Sequence, residues 1–180
     1  MNTYLKYGVA IPVAGLIAMV LCYVSGLWDV DNLGKGLIIG TVVAIGIHTF
    51  GIVLGTRVER APSGAAGFSY GKAFKVGFMI SLVSAVAGIA CNAIFFKFIN
   101  PNYNETTIAW TRSLMENMKA PEAQIEKAEE QMRAKAGLTR QLVNGVVGAI
   151  VIGTIISLIT AAVMKRPPAD DLTGGPPAIS

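Results

Sequence analysis

The sequence predicts an all-α integral membrane protein, a bundle of four transmembrane helices with an amphipathic helical insert between the third and the fourth. Three observations predict it. Of the 180 residues 53% are hydrophobic and only 14% charged, with a mean hydropathy of +0.56, whereas about a quarter of residues are charged in soluble domains. The apolar residues gather into four stretches without a single Asp, Glu, Lys or Arg: Tyr7–Leu27, Gly36–Thr56, Val76–Phe96 and Gln141–Met164. Each matches the roughly 20 helical residues that cross a hydrocarbon core of about 30 Å. The stretches are also continuous rather than alternating, which sets barrel strands aside, and in lipid a helix pairs its own backbone groups.

The first span, about 7–27, follows Lys6 as a secretory signal would. Its uncharged run outlasts the roughly 7–15-residue core of such a signal. No small-x-small cleavage site follows, and Leu21 before Cys22 is unlike the small residue of a lipoprotein signal. It is read as a retained span, bent at Pro12 with help from Gly15. Cys22 and Cys91 fall at similar depth in the first and third spans, where two readings stand: a disulfide, or two thiols packing as small apolar residues.

The second span, about 36–56, and the third, about 74–96, enclose the most basic short loop, with Arg57, Arg60, Lys72 and Lys75. Lys6 precedes the first span, Lys165 and Arg166 follow the fourth, and only Lys35 lies with Asp29 and Asp31 between the first two. The positive-inside rule then places both termini and the middle loop in the cytoplasm. Ser69 is suited to cap the third helix. Arg57, Arg60, Lys72 and Lys75 are expected to anchor at lipid headgroups, their stems lying along apolar surface. A specific anionic-lipid or phosphate site is the functional alternative.

Small residues run along the spans at helical spacing: Gly36, Gly40, Ala44 and His48 in the second, Gly77, Ser81, Ser84, Ala85, Gly88 and Asn92 in the third, Gly145, Ala149, Gly153 and Ser157 in the fourth, which covers about 141–164. Association in a bilayer depends on close backbone approach, so these stripes, with Gly36, Gly40, Ala44, Gly77, Gly88, Gly145 and Gly153 as packing residues, are read as the bundle interior. His48 is the only histidine. With Ser81, Ser84 and Asn92 it forms a candidate intramembrane polar site. The plainer reading is a neutral imidazole hydrogen-bonded to a neighbouring helix through Asn92, Ser81 or Ser84.

The insert, residues 101–140, is the one sizeable polar region, and the segment from Lys97 to Arg140 holds seven basic and six acidic residues. A first helix capped by Asn104 or Thr106 is expected to run to about Lys119. Pro121 opens a second, which Gly137 ends. Its Glu129 and Arg133 are spaced for an i,i+4 pair. Two helices so weakly apolar need a surface: their own bundle, the membrane interface or a protein partner. Trp110 is expected as an interfacial anchor. The Pro- and Gly-rich tail, residues 165–180, is read as a disordered cytoplasmic end.

The segments FSYGKAFKVGF entering the third span, FINPNYNE beyond it, the insert with EEQM and the closing GAIVIGTIISLITAAVMKR resemble a bacterial four-span membrane family known as domain of unknown function 4199. The resemblance covers most of the chain and implies a bacterial inner membrane. It carries no site residues.

No enzyme signature accompanies these features. One histidine and two intramembrane cysteines offer no zinc set, the spans hold no carboxylate, and no nucleophile motif or phosphate-cradling loop is present. The sequence therefore predicts no catalytic residue, no metal and no cofactor. The net charge of +4 is explained by topology anchors, so nucleic acid is not expected as a partner. A scaffold or accessory subunit that uses the insert to contact a membrane or periplasmic protein is the leading expectation. The alternative is a small homo-oligomeric transporter or channel lined by His48, Asn92 and the serines.

Overall fold

A computed structural model of the chain describes residues 2–168. All of its regular structure is helical apart from one isolated backbone pair: α1 Thr3–Val24, α2 Leu33–Arg60, α3 Tyr70–Ile94, α4 Tyr103–Asn117, α5 Glu122–Lys135 and α6 Leu138–Met164. Four of these, α1, α2, α3 and α6, are long and apolar enough to cross a membrane, and the chain is a multi-pass membrane protein. The helices outrun the uncharged stretches, taking charged residues such as Lys35, Arg57 and Lys72 into their first or last turns. α2, at 28 residues, reaches Arg60, about 42 Å at 1.5 Å per residue.

The caps follow from local chemistry. Asn2 and Ser69 accept from the backbone N–H groups of Tyr4 and Lys72 with their side-chain oxygens, satisfying one free donor at each start. Between α2 and α3 a tight 3₁₀ turn, Ala61–Ala66, leads to Gly67 at φ 71°. There the chain meets the C-terminal segment, and Phe68 and Arg166 exchange two backbone hydrogen bonds of 2.8 Å. The expected disordered tail otherwise falls on residues outside those described.

α3 is the hub, packed most extensively against α6 and then α1, while α2 touches all three. The core sits toward the basic end of the bundle, where Ile11, Ile52, Ile80, Ile156 and Phe68 are buried. Backbone approach there is close. A Cβ on Gly51 would lie 2.5 Å from Ile11 Cγ1, one on Gly77 would lie 2.7 Å from Ser157 Oγ, and one on Gly153 would lie 2.5 Å from Ser81 Cβ. These are the contacts that hold helices together where lipid is as apolar as the side chains.

The other end is capped by the insert. α4 and α5 form a hairpin that turns at Lys119, whose φ of 56° is unusual for a residue with a Cβ. Arg112 ties it together, its Nη1 donating to Glu129 (3.0 Å), its Nη2 to Glu122 and its Nε to Glu116 (2.8 Å). Hydrogen bonds from Arg112 to Glu129, Glu122 and Glu116 hold the guanidinium proton more firmly than usual. The expected Glu129–Arg133 pair is not made. Arg133 instead reaches Glu105 across the hairpin, its Nη1 donating to both carboxylate oxygens at 2.9 and 3.0 Å, a charge-assisted contact.

Candidate functional site

Two turns above that close-packed core the helices part. Gly40, Gly15 and Gly148, on three different helices, have nothing within 4 Å of the place a Cβ would take. Between α1, α2, α3 and α6 lies a cavity of about 340 Å³, with Ile11, Pro12, His48, Ser84 and Ile152 near its base and Cys22, Trp28, Asn92 and Gly145 toward the hairpin. No Asp, Glu, Lys or Arg among the described residues lines it. Thr41, Val43, Ala44 and Ile45 line it while themselves exposed, so the cavity communicates with the surroundings along the middle of α2. That stretch lies about 12 Å or more from the start of the helix, within hydrocarbon.

His48 hangs from α2 with Nδ1 3.0 Å from the Ala44 carbonyl oxygen. A carbonyl accepts only, so this contact places a proton on Nδ1. Nε2 is buried and finds no partner among the described residues, and the same is true of Trp28 Nε1–H. Buried groups of this kind are normally paired. The inter-helix bond expected for His48 is thus replaced by one within its own helix. Asn92 likewise donates to Gly88 O (2.9 Å), Ser81 to Gly77 O (2.9 Å) and Ser157 to Gly153 O (2.6 Å).

The structure brings His48, Ser84 and Asn92 to one cavity and leaves Ser81 outside it, buried in the α3–α6 seam against Gly153. Of the small residues, Gly36 lies against the Leu27 backbone and Gly77 and Gly153 fill tight crossings. Gly40, Ala44, Gly88 and Gly145 face the cavity. Cys22 and Cys91 are free thiols in its wall. Arg57, Arg60, Lys72 and Lys75 stand at the opposite end, all but the half-buried Arg60 exposed. No cluster of three or more His, Cys, Asp or Glu able to hold a metal occurs among the described residues.

An aromatic group roofs the cavity, and sequence reasoning passed over its centre, Trp28. That ring packs on Phe95 (centroids 5.6 Å apart) and Tyr103 (5.2 Å), and Tyr103 on Phe96 (5.0 Å). A π-helical turn over Phe95–Ile99 follows α3 at this point, with Phe95 fully buried. Gln141 donates to Asn104 (2.7 Å), fastening the start of α6 to α4. Trp110 packs over Gly34 at the start of α2, its Cζ2 3.4 Å from where a Cβ would stand. Tyr23, Trp28, Phe95, Phe96 and Tyr103 all fall near span ends, the one sequence signal that pointed here.

The family model described as "Protein of unknown function (DUF4199)" matches residues 6–166. The chain belongs to this family. No curated protein and no solved structure matches it. The DUF4199 match runs through all four spans, the hairpin and every residue of the cavity.

Proposed function

We propose that this DUF4199 protein is a non-catalytic binding protein of a bacterial inner membrane that holds a small lipophilic molecule beneath its hairpin. The observation that carries the reading is the cavity: about 340 Å³, within the roughly 300–1,000 Å³ of small-molecule sites, uncharged, and open to hydrocarbon along α2. The basic residues at the Arg57 and Lys72 end support a cytoplasmic placement of both termini, which puts the cavity in the outer half of the bilayer. A conducting pathway has less to support it, because Ile11, Ile52, Ile80 and Ile156 fill the interior below His48.

The test is chemical. Protein extracted with its surrounding lipid into polymer-bounded discs is assayed for solvent-extractable molecules, beside a Gly148→Leu variant. A leucine side chain fits the open space there and takes up roughly a third of the cavity, at about 30 Å³ per water-sized group. One compound near a fixed ratio to wild-type protein, and depleted from the variant, supports the reading. Identical profiles from both overturn it.

An accessory-subunit role has one observation of its own. The hairpin is held rigid by Arg112 and Arg133, yet Met118 is 73% and Leu114 43% exposed, adaptable apolar side chains on a surface beyond the bundle. Replacing both by Ser should release any protein that co-purifies at fixed ratio. An unchanged set of companions counts against this role.

A further inference from the structure

Charge is balanced in the hairpin and left standing at the opposite end of the bundle. Every ion pair among the described residues lies in the hairpin. At the other end Lys6, Arg57, Arg60, Lys72, Lys75, Lys165 and Arg166 stand with one described acid, Glu59. Asp170 and Asp171 follow outside the described residues, and the seven bases still exceed the three acids. Basic residues that only orient a membrane protein need to be present in a loop, without a fixed place in it. Here the fold fixes four of them.

The register of the α3–α6 seam does so. Gly77 lies against Ser157 and Gly153 against Ser81, so four residues on along α3 correspond to four back along α6. Nine residues before Gly77 stands Phe68, nine after Ser157 stands Arg166, and these two exchange the backbone hydrogen bonds of 2.8 Å. The seam thus runs unbroken past the ends of both helices. Lys165 falls level with Ser69, and Lys72 stands about 4.5 Å from that level, three residues of helical rise. The join is close: a Cβ on Gly67, itself at φ 71°, would lie 2.7 Å from the Arg166 carbonyl oxygen and 2.7 Å from Pro168 N. Phe68 belongs to the buried core, while Lys72, Lys75, Lys165 and Arg166 are all exposed. Four cations from two segments distant in sequence are gathered at one join.

We propose that this join is a binding site for the headgroup of an anionic phospholipid, whose phosphodiester is held by Lys165 and Arg166 of the clipped segment and by Lys72 and Lys75 of α3. The fork of a guanidinium matches phosphate oxygens, and lysine adds a point charge. A lipid is favoured over a soluble anion because these cations sit where α3 and α6 leave hydrocarbon, the level at which headgroup phosphates are concentrated. The site is separate from the cavity and stands whatever the cavity holds.

The experiment is native mass spectrometry of the full chain in neutral detergent micelles, titrated separately with dioleoyl phosphatidylglycerol and dioleoyl phosphatidylcholine and read as the Kd of the first bound lipid. The first phosphatidylglycerol should bind at least about fivefold tighter than phosphatidylcholine, the preference that one cation supplies beside a charged headgroup. Lys165→Gln with Arg166→Gln keeps the backbone clip and should lose the preference. Gly67→Ala keeps every charge but has no room for its methyl, and should lose it too. Lys35→Gln with Lys97→Gln, at the hairpin end, should retain it. Equal Kd for the two lipids in the wild type, or a preference that survives Lys165→Gln with Arg166→Gln, overturns the site. A preference that survives Gly67→Ala means that the charges act as diffuse anchors, which also overturns it. Should Gly67→Ala fail to fold by circular dichroism, the Lys165 and Arg166 double variant decides. Loss of lipid preference on adding inorganic phosphate at constant ionic strength would make a soluble anion the ligand and overturn the lipid assignment.

Discussion

Gly153 on α6 and Gly148 one and a half turns away invite the same substitution with opposite results. A Cβ at Gly153 would stand 2.5 Å from Ser81 Cβ, where carbon atoms need about 3.5–4.0 Å. Gly153→Ala must then push α3 and α6 apart by about 1 Å at their tightest crossing, and overpacking of this kind costs about 1–3 kcal/mol. At about 2 kcal/mol the folded-to-unfolded ratio falls by a factor approaching 30. At Gly148 a Cβ meets nothing within 4 Å, so Gly148→Ala gains only the helix propensity of alanine over glycine, about 0.8–1.0 kcal/mol. Removing the Ser81 side chain leaves its Cα 3.7 Å from the new methyl, an ordinary contact. Ser81→Gly should therefore rescue Gly153→Ala, with a coupling of about 1–2 kcal/mol, in the range found for residues in contact. Reversible unfolding in mixed micelles, followed by circular dichroism, reads all four variants. Equal effects of Gly153→Ala and Gly148→Ala, or additive behaviour of Gly153→Ala with Ser81→Gly, would refute the seam described for α3 and α6.

Other consequences concern the hairpin and the roof. Lys119→Gly should raise hairpin stability by about 0.5–1 kcal/mol, since a residue with a Cβ is strained at positive φ; slower hydrogen exchange across α4 and α5 would show it, and faster exchange would contradict it. Arg112→Met leaves Glu116, Glu122 and Glu129 facing one another, and trypsin should then cut within the hairpin sooner than in wild type, with the wild type approaching the variant at high salt as screening weakens its pairs. Trp28→Phe removes the unpartnered N–H together with part of the indole that packs on Phe95 and Tyr103, two opposing effects, so thermal stability should fall by well under the about 3–5 kcal/mol of a full truncation to Ala; a loss of that full size would mean that Nε1 has a partner in the protein.

The all-α class and the four spans were legible because charge is excluded from long continuous stretches, and hydrocarbon tolerates little else. Ser69 was legible as a cap because its oxygen is placed to take the Lys72 N–H. The cavity was not legible. Gly36 and Gly40 fall on one stripe at the same spacing, yet one meets the Leu27 backbone and the other faces open space. That difference depends on how far α2 leans from its neighbours, which no local pattern records. The roof was hidden for a related reason, as Trp28 and Tyr103 meet across 75 positions of chain. The Glu129–Arg133 spacing was real, but competing partners on α4 lay closer in space than in sequence.

The central claim is that the bundle encloses a lipophile in its hairpin half and is sealed in its basic half. Photolabelling in lipid discs with a diazirine-bearing octylbenzene, followed by peptide mapping, tests it most directly. The account predicts adducts concentrated on cavity residues such as Met19, Cys22 and Asn92, suppressed by unlabelled octylbenzene and by Gly148→Leu. Adducts spread evenly over lipid-facing residues such as Ile159 and Val163, unaffected by competitor, would contradict it.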